Sequence, residues 1–339
     1  MSGWQRLQKE SAHKTRLELR AKITRNVREF FWSKDFIELE TPLLVALPGQ
    51  EPYLHPFRTS VIEPNGIEYN GYLITSPEYG LKKMLAGGFT RIFQLGKTFR
   101  NREDFGGLHN PEFKMIEWYR AHKDYTAIMD DTELLTRFCA EQLEMGGHHV
   151  PFNYKDPWER VSMRELWQKH VGVDLDELKT VESLTVLAKS RGFQIQEGEP
   201  YEDVFFRIFL NEIERKLGRE VPTIVYDYPV ALSSLARLKA SDPSYAERIE
   251  VYINGIEIAN GFSELIVPDE QHARLEEEQM LRKKLGHDVF PIDEDFIEAL
   301  LKMPPSAGIA LGIDRLVMAL LGVSRIEDIL AIPAKEMFN

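Results

Sequence analysis

Apolar residues recur at three- and four-residue spacing between positions 14 and 33, a pattern that predicts an amphipathic helix. Similar periodicity and helix-start signals predict further helices at about 77–85, 125–143, 269–286, 293–302 and 313–321. Short apolar runs predict strands at 56–61, 69–75, 91–100, 113–121, 222–229 and 248–262. Because the strands come in pairs and do not alternate regularly with helices, we expect an α+β fold, a mostly antiparallel sheet flanked by helices.

Two segments interrupt this pattern. The strands 91–100 and 113–121 are predicted to pair across the polar loop NREDFGGLHNPE. Loops beyond about 12 residues are usually functional or disordered, so this loop is a candidate part of a site. Residues 146–221 contain several short helical stretches, which predict a helical insertion within one domain that spans residues 1–339.

Composition and charge exclude several classes of protein. The 339 residues are 43% hydrophobic and 28% charged, which is typical of an ordinary globular protein. No run approaches the roughly 18 apolar residues of a membrane span, and the N-terminal segment has no apolar run of the signal-peptide type. The single cysteine, Cys139, excludes an internal disulfide and fits a reducing compartment. We therefore expect a cytoplasmic protein with no membrane partner.

The net charge of −12 argues against a surface that grips nucleic acid as a whole, because such binding neutralises phosphates with lysine and arginine. The charge is unevenly distributed. Residues 1–30 contain eight Lys and Arg against three Asp and Glu, whereas residues 267–300 contain four against ten. A local basic patch on the first helix is therefore predicted.

The hairpin centred on Asn254-Gly255 permits a geometric inference. With these two residues as the turn, Tyr252 faces Glu257 and Glu250 faces Ala259, so Glu250 and Glu257 lie diagonally on one sheet face. Two such carboxylates can hold Mg²⁺, which prefers oxygen ligands and shares them with substrate phosphates. The alternative is a solvated acidic face.

Three further features suggest a site. Glu264 lies in the apolar stretch EIANGFSE and needs a cationic or hydrogen-bonding partner, either a substrate ammonium or a protein Lys or Arg. Arg100 beside Phe113 offers a fork for phosphate and a flat face for a base, although Phe113 alone fits a core position equally well. Gly312 and Arg315 lie at the start of the last long helix, where backbone and side chain can approach a phosphate.

Together these segments resemble a known family. FRNREDFGGLHNPEFKMIEWY looks like motif 2 of the class II aminoacyl-tRNA synthetases, and GIALGIDRLVMALLG looks like their motif 3. The first long helix with FIELETP resembles motif 1, the dimer-forming element, which ends at Pro42. HNPEF, GIEIANGFSEL and GIDRLVM are similar to lysyl-tRNA synthetase. The resemblance covers essentially the whole chain and implies an antiparallel catalytic sheet, bound ATP, a homodimer and an aminoacyl-adenylate intermediate.

The resemblance also implies roles for single residues. Arg100 would hold the α-phosphate and the attacking carboxylate, Arg315 the γ-phosphate, and His109 would assist as the third catalytic residue. Glu250 and Glu257 would carry Mg²⁺. The implied ATP site comprises Arg100, Asn101, Arg102, Glu103, His109, Asn110, Phe113, Glu257, Ile258, Gly312 and Arg315. The implied amino-acid site comprises Ser76, Pro77, Glu78, Tyr119, Asn260, Glu264 and Ala310, with Glu78 at the amino group and Tyr119 and Glu264 at the side-chain ammonium.

One position departs from the family pattern. Motif 2 usually reads Arg-Asn-Glu, with the glutamate on the adenine amino group, whereas here Arg102 follows Asn101 and the acid comes one position later. We expect Glu103 to take that role.

The first long helix starts near residue 14, which leaves no room for the N-terminal anticodon-binding OB-fold of a lysyl-tRNA synthetase. The chain thus resembles the stand-alone paralogues that activate (R)-β-lysine, or lysine, and transfer it to a lysine side chain of elongation factor P, and tRNA is not expected as a partner. Ala310 stands where synthetases usually have glycine, and Ser76 stands where they usually have alanine. A β-amino substrate would require such changes in the pocket around its amino group. The alternatives are a truncated synthetase that charges tRNA or a tRNA-like acceptor and a non-catalytic regulatory paralogue.

Overall fold

A computed structural model of the chain describes residues 3–233 and 235–338. The centre of the fold is an eight-stranded sheet with the order β1-β5-β6-β11-β10-β9-β8-β7, and a three-stranded sheet has the order β2-β4-β3. The strands are β1 Ile37–Glu38, β2 Leu44–Val45, β3 Phe57–Ile62, β4 Glu68–Leu73, β5 Arg91–Phe99, β6 Glu112–Ala121, β7 Glu159–Ser162, β8 Thr223–Pro229, β9 Tyr245–Ile253, β10 Ile256–Ser263 and β11 Ser306–Gly312.

The helices flank these sheets and number eleven among the described residues. They are α1 Gly3–Lys9, α2 Ser11–Ser33, α3 Glu78–Ala86, α4 Tyr125–Met145, α5 Met163–His170, α6 Val181–Ser190, α7 Tyr201–Glu212, α8 Pro268–Lys284, α9 Glu294–Leu300, α10 Ile313–Leu321 and α11 Ala334–Met337. The predicted α+β class is confirmed. Six neighbouring strands of the large sheet, β5, β6, β11, β10, β9 and β8, pair antiparallel. Only the edge strands β1 and β7 pair parallel with their neighbours in the described part of the sheet.

Side chains alternate between the two faces of the large sheet, and this alternation separates core from site. In β6, Ile116 and Trp118 point into the main hydrophobic core, which they share with α2, α4 and α10. Glu117 and Tyr119 point to the opposite face, which is open to a cavity. The alternation of apolar and polar residues thus lets one buried strand serve both the core and the site.

The hairpin of β9 and β10 has the predicted turn and the predicted pairing of Tyr252 with Glu257, but the register changes beyond Glu257. Asn254 and Gly255 both adopt positive φ, 53° and 75°, as a tight two-residue turn requires. A β-bulge between Glu257 and Ala259 then shifts the pairing by one residue, so Glu250 faces Asn260 and not Ala259. The predicted pair was wrong because the count assumed an unbroken ladder, which a bulge interrupts.

The segment 146–221 contains α5, α6 and α7, and also β7, which extends the large sheet beside β8. Its apolar side chains, among them Trp167 and Phe205, pack against Val225 and Tyr252 of the sheet in one common cluster. The sequence did not indicate β7, because four residues are too few to show strand periodicity. The description of the chain as one domain with an insertion stays a prediction.

Over residues 3–233 and 235–338, no helix is both long and apolar enough to cross a membrane.

Candidate active site

A cavity of about 830 Å³ opens on the polar face of the large sheet. Its floor is formed by β6, β10 and β11, and its sides by α3, α8 and the loop 51–54. A narrower groove continues from it along β10 and β11 to the motif 2 loop and the start of α10. Four residues line both spaces, so that the two are continuous: Arg100, Met115, Asn260 and Ala310.

The deep end of the cavity is organised around Glu117, which is only 2% exposed. Ser76 Oγ donates to Glu117 Oε2 at 2.5 Å, and the Tyr119 hydroxyl donates to Glu117 Oε1 at 2.6 Å. Ser76 also accepts the backbone N–H of Glu78 at 3.1 Å, in the first turn of α3. The sequence singled out Ser76 and Tyr119 but missed the carboxylate that holds both.

Glu264 lies beside this network and is 1% exposed. Its Oε2 is 2.5 Å from Nζ of Lys82, and the same ammonium donates to Glu78 Oε1 at 2.5 Å. The cationic partner that Glu264 was expected to need is therefore present within the protein. Lys82 was missed because a Lys-Lys pair is typical of the exposed face of a helix. In the structure only the second lysine of this pair, Lys83, is partly exposed, whereas Lys82 is buried.

Burial raises the pKa of both carboxyl groups. The pKa of Glu264 is about 8, because desolvation outweighs the attraction of Lys82. The pKa of Glu117 is about 7, through desolvation and repulsion by Glu78, opposed by the hydrogen bonds from Ser76 and Tyr119. Burial opposes the charge of Lys82, but Glu264 and Glu78 together raise its pKa. This end of the cavity has more acidic than basic groups and favours a cationic ligand.

Gly308 allows these groups to come together. A Cβ at this position in β11 would lie 2.2 Å from Cε1 of Tyr119 and 2.7 Å from Oε1 of Glu264. Such distances are closer than real Cβ contacts, so any side chain here would displace the tyrosine or the glutamate. The glycine is required by side-chain packing within the pocket.

The groove at the other end is lined by arginine and aromatic side chains. The guanidinium of Arg100 lies 5.1 Å from the ring centroid of Phe113. Arg315, in the first turn of α10, donates to the backbone oxygen of Glu257 at 2.9 Å and to its Oε2 at 3.2 Å. Asp314 beside it binds Arg20 of α2 and the backbone N–H of Lys114, which ties the start of α10 to motifs 1 and 2.

The motif 2 loop places Glu103 in the groove. Arg102 adopts a positive φ of 60°, and its side chain is exposed, so the chain turns before Glu103. Glu103 Oε2 lies 2.6 Å from Nδ1 of His109, and this contact holds the pKa of the glutamate below its usual range. Neither Asn101 nor Arg102 lines the cavity or the groove, and the side chain of Asn110 is held by backbone groups of Glu112 and Ala334.

The predicted metal ligands share one sheet face despite the bulge. Glu250 is buried and accepts hydrogen bonds from Arg248 at 2.8 Å, Tyr252 at 2.5 Å and Asn260 at 3.4 Å. Desolvation and repulsion by Glu250 raise the pKa of Glu257. Glu214 faces the same pair, and desolvation with repulsion by Glu257 and Glu250 raises its pKa to about 7. Among the described residues no cluster of three or more His, Cys, Asp or Glu has metal-binding geometry.

Most predicted site residues lie together along this cavity and groove. In the cavity are Ser76, Glu78, Tyr119, Asn260, Glu264 and Ala310, and in the groove are Arg100, Glu103, His109, Asn110, Phe113, Glu257, Ile258, Gly312 and Arg315. Pro77 lines a small adjoining space at the start of α3, and Glu250 lies in the sheet beyond the groove wall. Sequence reasoning missed Glu117, Lys82, Arg248, Tyr252 and Glu214.

Residues 3–336 match the family of class II tRNA synthetases of the D, K and N group. The chain belongs to this family, whose members are ATP-dependent ligases that act on amino acids. The resemblance of its three motifs is thereby confirmed.

The chain is similar to two kinds of named relative. It is 36% identical to the elongation factor P–(R)-β-lysine ligase of Yersinia enterocolitica and 38% identical to that of Vibrio cholerae, covering 98% and 95% of those proteins. It is 37% identical to the lysine–tRNA ligase of Mycoplasmoides gallisepticum, and the alignment covers 94% of this chain. The chain spans about 65% of the length of that lysine–tRNA ligase.

Proposed function

We propose that this protein activates (R)-β-lysine, or lysine, with ATP and transfers it to a lysine side chain of elongation factor P. The observation that carries the proposal is the continuous space that joins a buried acidic pocket to a groove lined by two arginines. A diamino acid fits this polarity, with its ammonium groups among Glu78, Glu117 and Glu264 and its carboxylate toward Arg100.

In the proposed amino-acid site, Glu264 and the Tyr119–Glu117 pair receive the side-chain ammonium. Glu78, at the first turn of α3, receives the amino group near the reacting carboxylate. Ser76 and Ala310 adapt the pocket to a β-amino group: Ser76 contacts the backbone of Glu78, and Ala310 lines the neck between cavity and groove. Asn260 lines the same neck and binds the ligand's polar atoms.

In the proposed nucleotide site, Phe113 stacks on adenine and Glu103 accepts its amino group. Arg100 binds the α-phosphate and the carboxylate, and Arg315 binds the γ-phosphate after releasing Glu257. His109 assists at the phosphates from its contact with Glu103. Gly312 lets the backbone at the start of α10 approach the nucleotide, and Ile258 supports it from β10.

The chemistry is positioning and charge neutralisation, without a protein nucleophile. A carboxylate oxygen of the amino acid attacks the α-phosphorus, the bond to the β-phosphate oxygen breaks, and pyrophosphate leaves. In the second step, the acceptor lysine amine attacks the carbonyl carbon of the adenylate. The bond from this carbon to the phosphate oxygen breaks, AMP leaves, and the new amide nitrogen loses a proton.

The residues present fit Mg²⁺. Glu257 and Glu250 lie on one face of the β9–β10 hairpin, where repulsion by Glu250 contributes to the raised pKa of Glu257, and a divalent cation would relieve that repulsion. Two carboxylates completed by phosphate oxygens are a usual magnesium environment. When bound, the ion neutralises charge on the phosphates. Glu257 would hold it directly once Arg315 turns to phosphate, with Glu250 behind it.

Elongation factor P is proposed as acceptor because the chain covers 95–98% of the elongation factor P ligases but about two thirds of the lysine–tRNA ligase. A homodimer is part of the proposal, since α2 and β1 resemble motif 1, the dimer-forming element. A cytoplasmic location is also proposed, on the composition and the single cysteine. The second candidate, aminoacylation of tRNA, is favoured by the 37% identity to lysine–tRNA ligase, which lies between the 36% and 38% identities to the two elongation factor P ligases.

Pyrophosphate exchange with (R)-β-lysine, α-lysine and norleucine tests the activation step. We expect exchange with at least one lysine isomer and none with norleucine, which lacks the second ammonium. No exchange with either isomer would remove the proposed activity. Transfer of labelled lysine to tRNA but not to elongation factor P would identify the second candidate instead.

A further inference from the structure

Lys82 is the one buried lysine in the described part of the chain, with 1% exposure. Its ammonium lies near two aromatic rings, with Nζ 5.2 Å from the centroid of Phe262 and 5.9 Å from that of Phe296. A lysine rarely lies in such surroundings unless it is paired, because burying an ammonium costs several kcal/mol. Lys82 is paired twice, with Glu78 and with Glu264.

These two glutamates lie on different elements. Glu78 begins α3, one helical turn before Lys82, and Glu264 follows β10, where its backbone N–H pairs with Ser306 at the edge of the pocket. A single ammonium therefore bridges a helix and the sheet at the wall of the amino-acid pocket. Each glutamate makes a 2.5 Å contact with Nζ through one carboxylate oxygen, and within the described residues neither forms an ion pair with another basic side chain.

We infer that Lys82 is a positioning residue that fixes Glu78 and Glu264 and leaves the pocket with two uncompensated carboxylates, one for each ammonium of a diamino acid. Of the carboxylates that line the cavity, Glu78, Glu117 and Glu264 are the three that belong to the network of Lys82, Ser76 and Tyr119. The ammonium of Lys82 neutralises the charge of one of them. The remaining charge matches a substrate with two ammonium groups, and this inference rests on the proposed function.

The alternative is that Lys82 only fills space between α3, β10 and α9. The two readings differ in how substrate binding depends on pH. Four titratable groups face Glu264: Lys82 and Glu78 from α3, and Glu117 and Tyr119 from β6. Two further carboxylates, Glu51 and Glu278, lie farther out and interact with Glu78. Of these, only Lys82 is a cation, so its removal makes ionisation of Glu264 harder.

The test measures the KM for lysine in pyrophosphate exchange from pH 6 to pH 9.5, in wild type and in Lys82→Met. We expect the KM of the variant to be about tenfold higher at pH 7 and to approach the wild-type value as the pH rises. The KM profile should move to higher pH by about one unit, with kcat and the KM for ATP changed less than about twofold. A space-filling role predicts profiles that overlay.

Lys83→Met is the matched control, because Lys83 is the next residue on the same helix and pairs with Asp293 and Asp295 away from the cavity. Its KM profile should equal that of wild type. In Lys82→Ala, we expect added ethylammonium to lower the KM at pH 7 by occupying the vacated volume. Equal losses at every pH, without rescue by ethylammonium, would overturn the inference.

Lys82→Gln keeps a hydrogen-bond donor without the charge, and serves if the methionine variant does not fold. If none of the three Lys82 variants folds while Lys83→Met does, Lys82 is needed for packing and the positioning role is wrong. Wild-type inactivity with every lysine isomer would instead refute the proposed function, so the two failures are distinguishable.

Discussion

The two ends of the cavity differ in how their charges are paired. At the amino-acid end, Glu117 and Glu264 are almost fully buried, and Ser76, Tyr119 and Lys82 already contact them. At the nucleotide end, the side chains of Arg315 and Glu257 are 24% and 34% exposed. Their contact lies in a groove that a nucleotide would enter.

This difference suggests that the two ends of the cavity bind their ligands in different ways. Buried groups held by several protein contacts are preorganised, so ligand binding there needs little rearrangement but is sensitive to protonation. A partly exposed ion pair contributes little to stability and exchanges partners at low cost. We therefore expect substitutions at the nucleotide end to affect the chemical step and those at the amino-acid end to affect affinity and its pH dependence.

The largest expected effect is that of Arg315→Ala. Removing a group that neutralises phosphate charge in the transition state costs about 10²–10³-fold in kcat for comparable donors. Pyrophosphate exchange should fall by that factor, while lysine binding, measured by calorimetry without ATP, stays within about twofold. Full activity of this variant would show that the phosphates lie elsewhere.

Arg325→Ala is the matched control, because it also removes an arginine from the C-terminal part of the sequence. The Arg325 side chain is 59% exposed, and its ion-pair distances to Glu327 and Asp328 are 4.0 Å. Exchange by this variant should equal that of wild type.

Glu264→Gln should act at the opposite end. A hydrogen bond to a charged group is worth about 1.5–3 kcal/mol, so the KM for lysine should rise about 10- to 150-fold. The KM for ATP should stay unchanged. Glu276→Gln on the exposed face of α8 is the matched control and should behave like wild type. A rise in both KM values would indicate general damage to the cavity.

The pH dependence sharpens the same contrast. Glu264, with a pKa of about 8, and Glu117, with a pKa of about 7, are partly protonated in the free protein at neutral pH. Because the ammonium groups bind the ionised carboxylates, the KM for lysine should fall as pH rises from 6 to 8, by up to about tenfold per unit for one proton. The KM profile of Glu264→Gln should be flatter.

Stability should change in the opposite direction over this range. The folded protein holds these protons more tightly than the unfolded chain, whose glutamates ionise near pH 4.3. The free energy of unfolding should therefore decrease as the pH rises from about 4.5 to 8 and should recover when lysine is added. Denaturant unfolding at three pH values, with and without lysine, measures both effects.

The sequence allowed the α+β class, most elements and most of the groove to be predicted, because apolar periodicity and three long motifs are local signals. It did not reveal the bulge between Glu257 and Ala259, since a single extra residue in an eight-residue strand is too short an interruption to show in the hydrophobic pattern. Nor did it reveal the pairing of Lys82 with Glu264, which are far apart in the chain and meet only when α3 packs on β10. Glu214 was missed for the same reason.

The smallest expected effect concerns Ala310, whose methyl group lies at the neck between the two ends. If that methyl shapes the pocket for a β-amino group, Ala310→Gly should lower the ratio of kcat/KM for (R)-β-lysine to that for α-lysine. One buried methyl is worth about 0.8 kcal/mol, roughly a fourfold change in the ratio. Ala299→Gly, at the end of α9 and outside the cavity lining, controls for an added glycine. An unchanged ratio would mean that substrate choice is set at the acidic end alone, where Ser76 and Glu78 are proposed to meet the amino group.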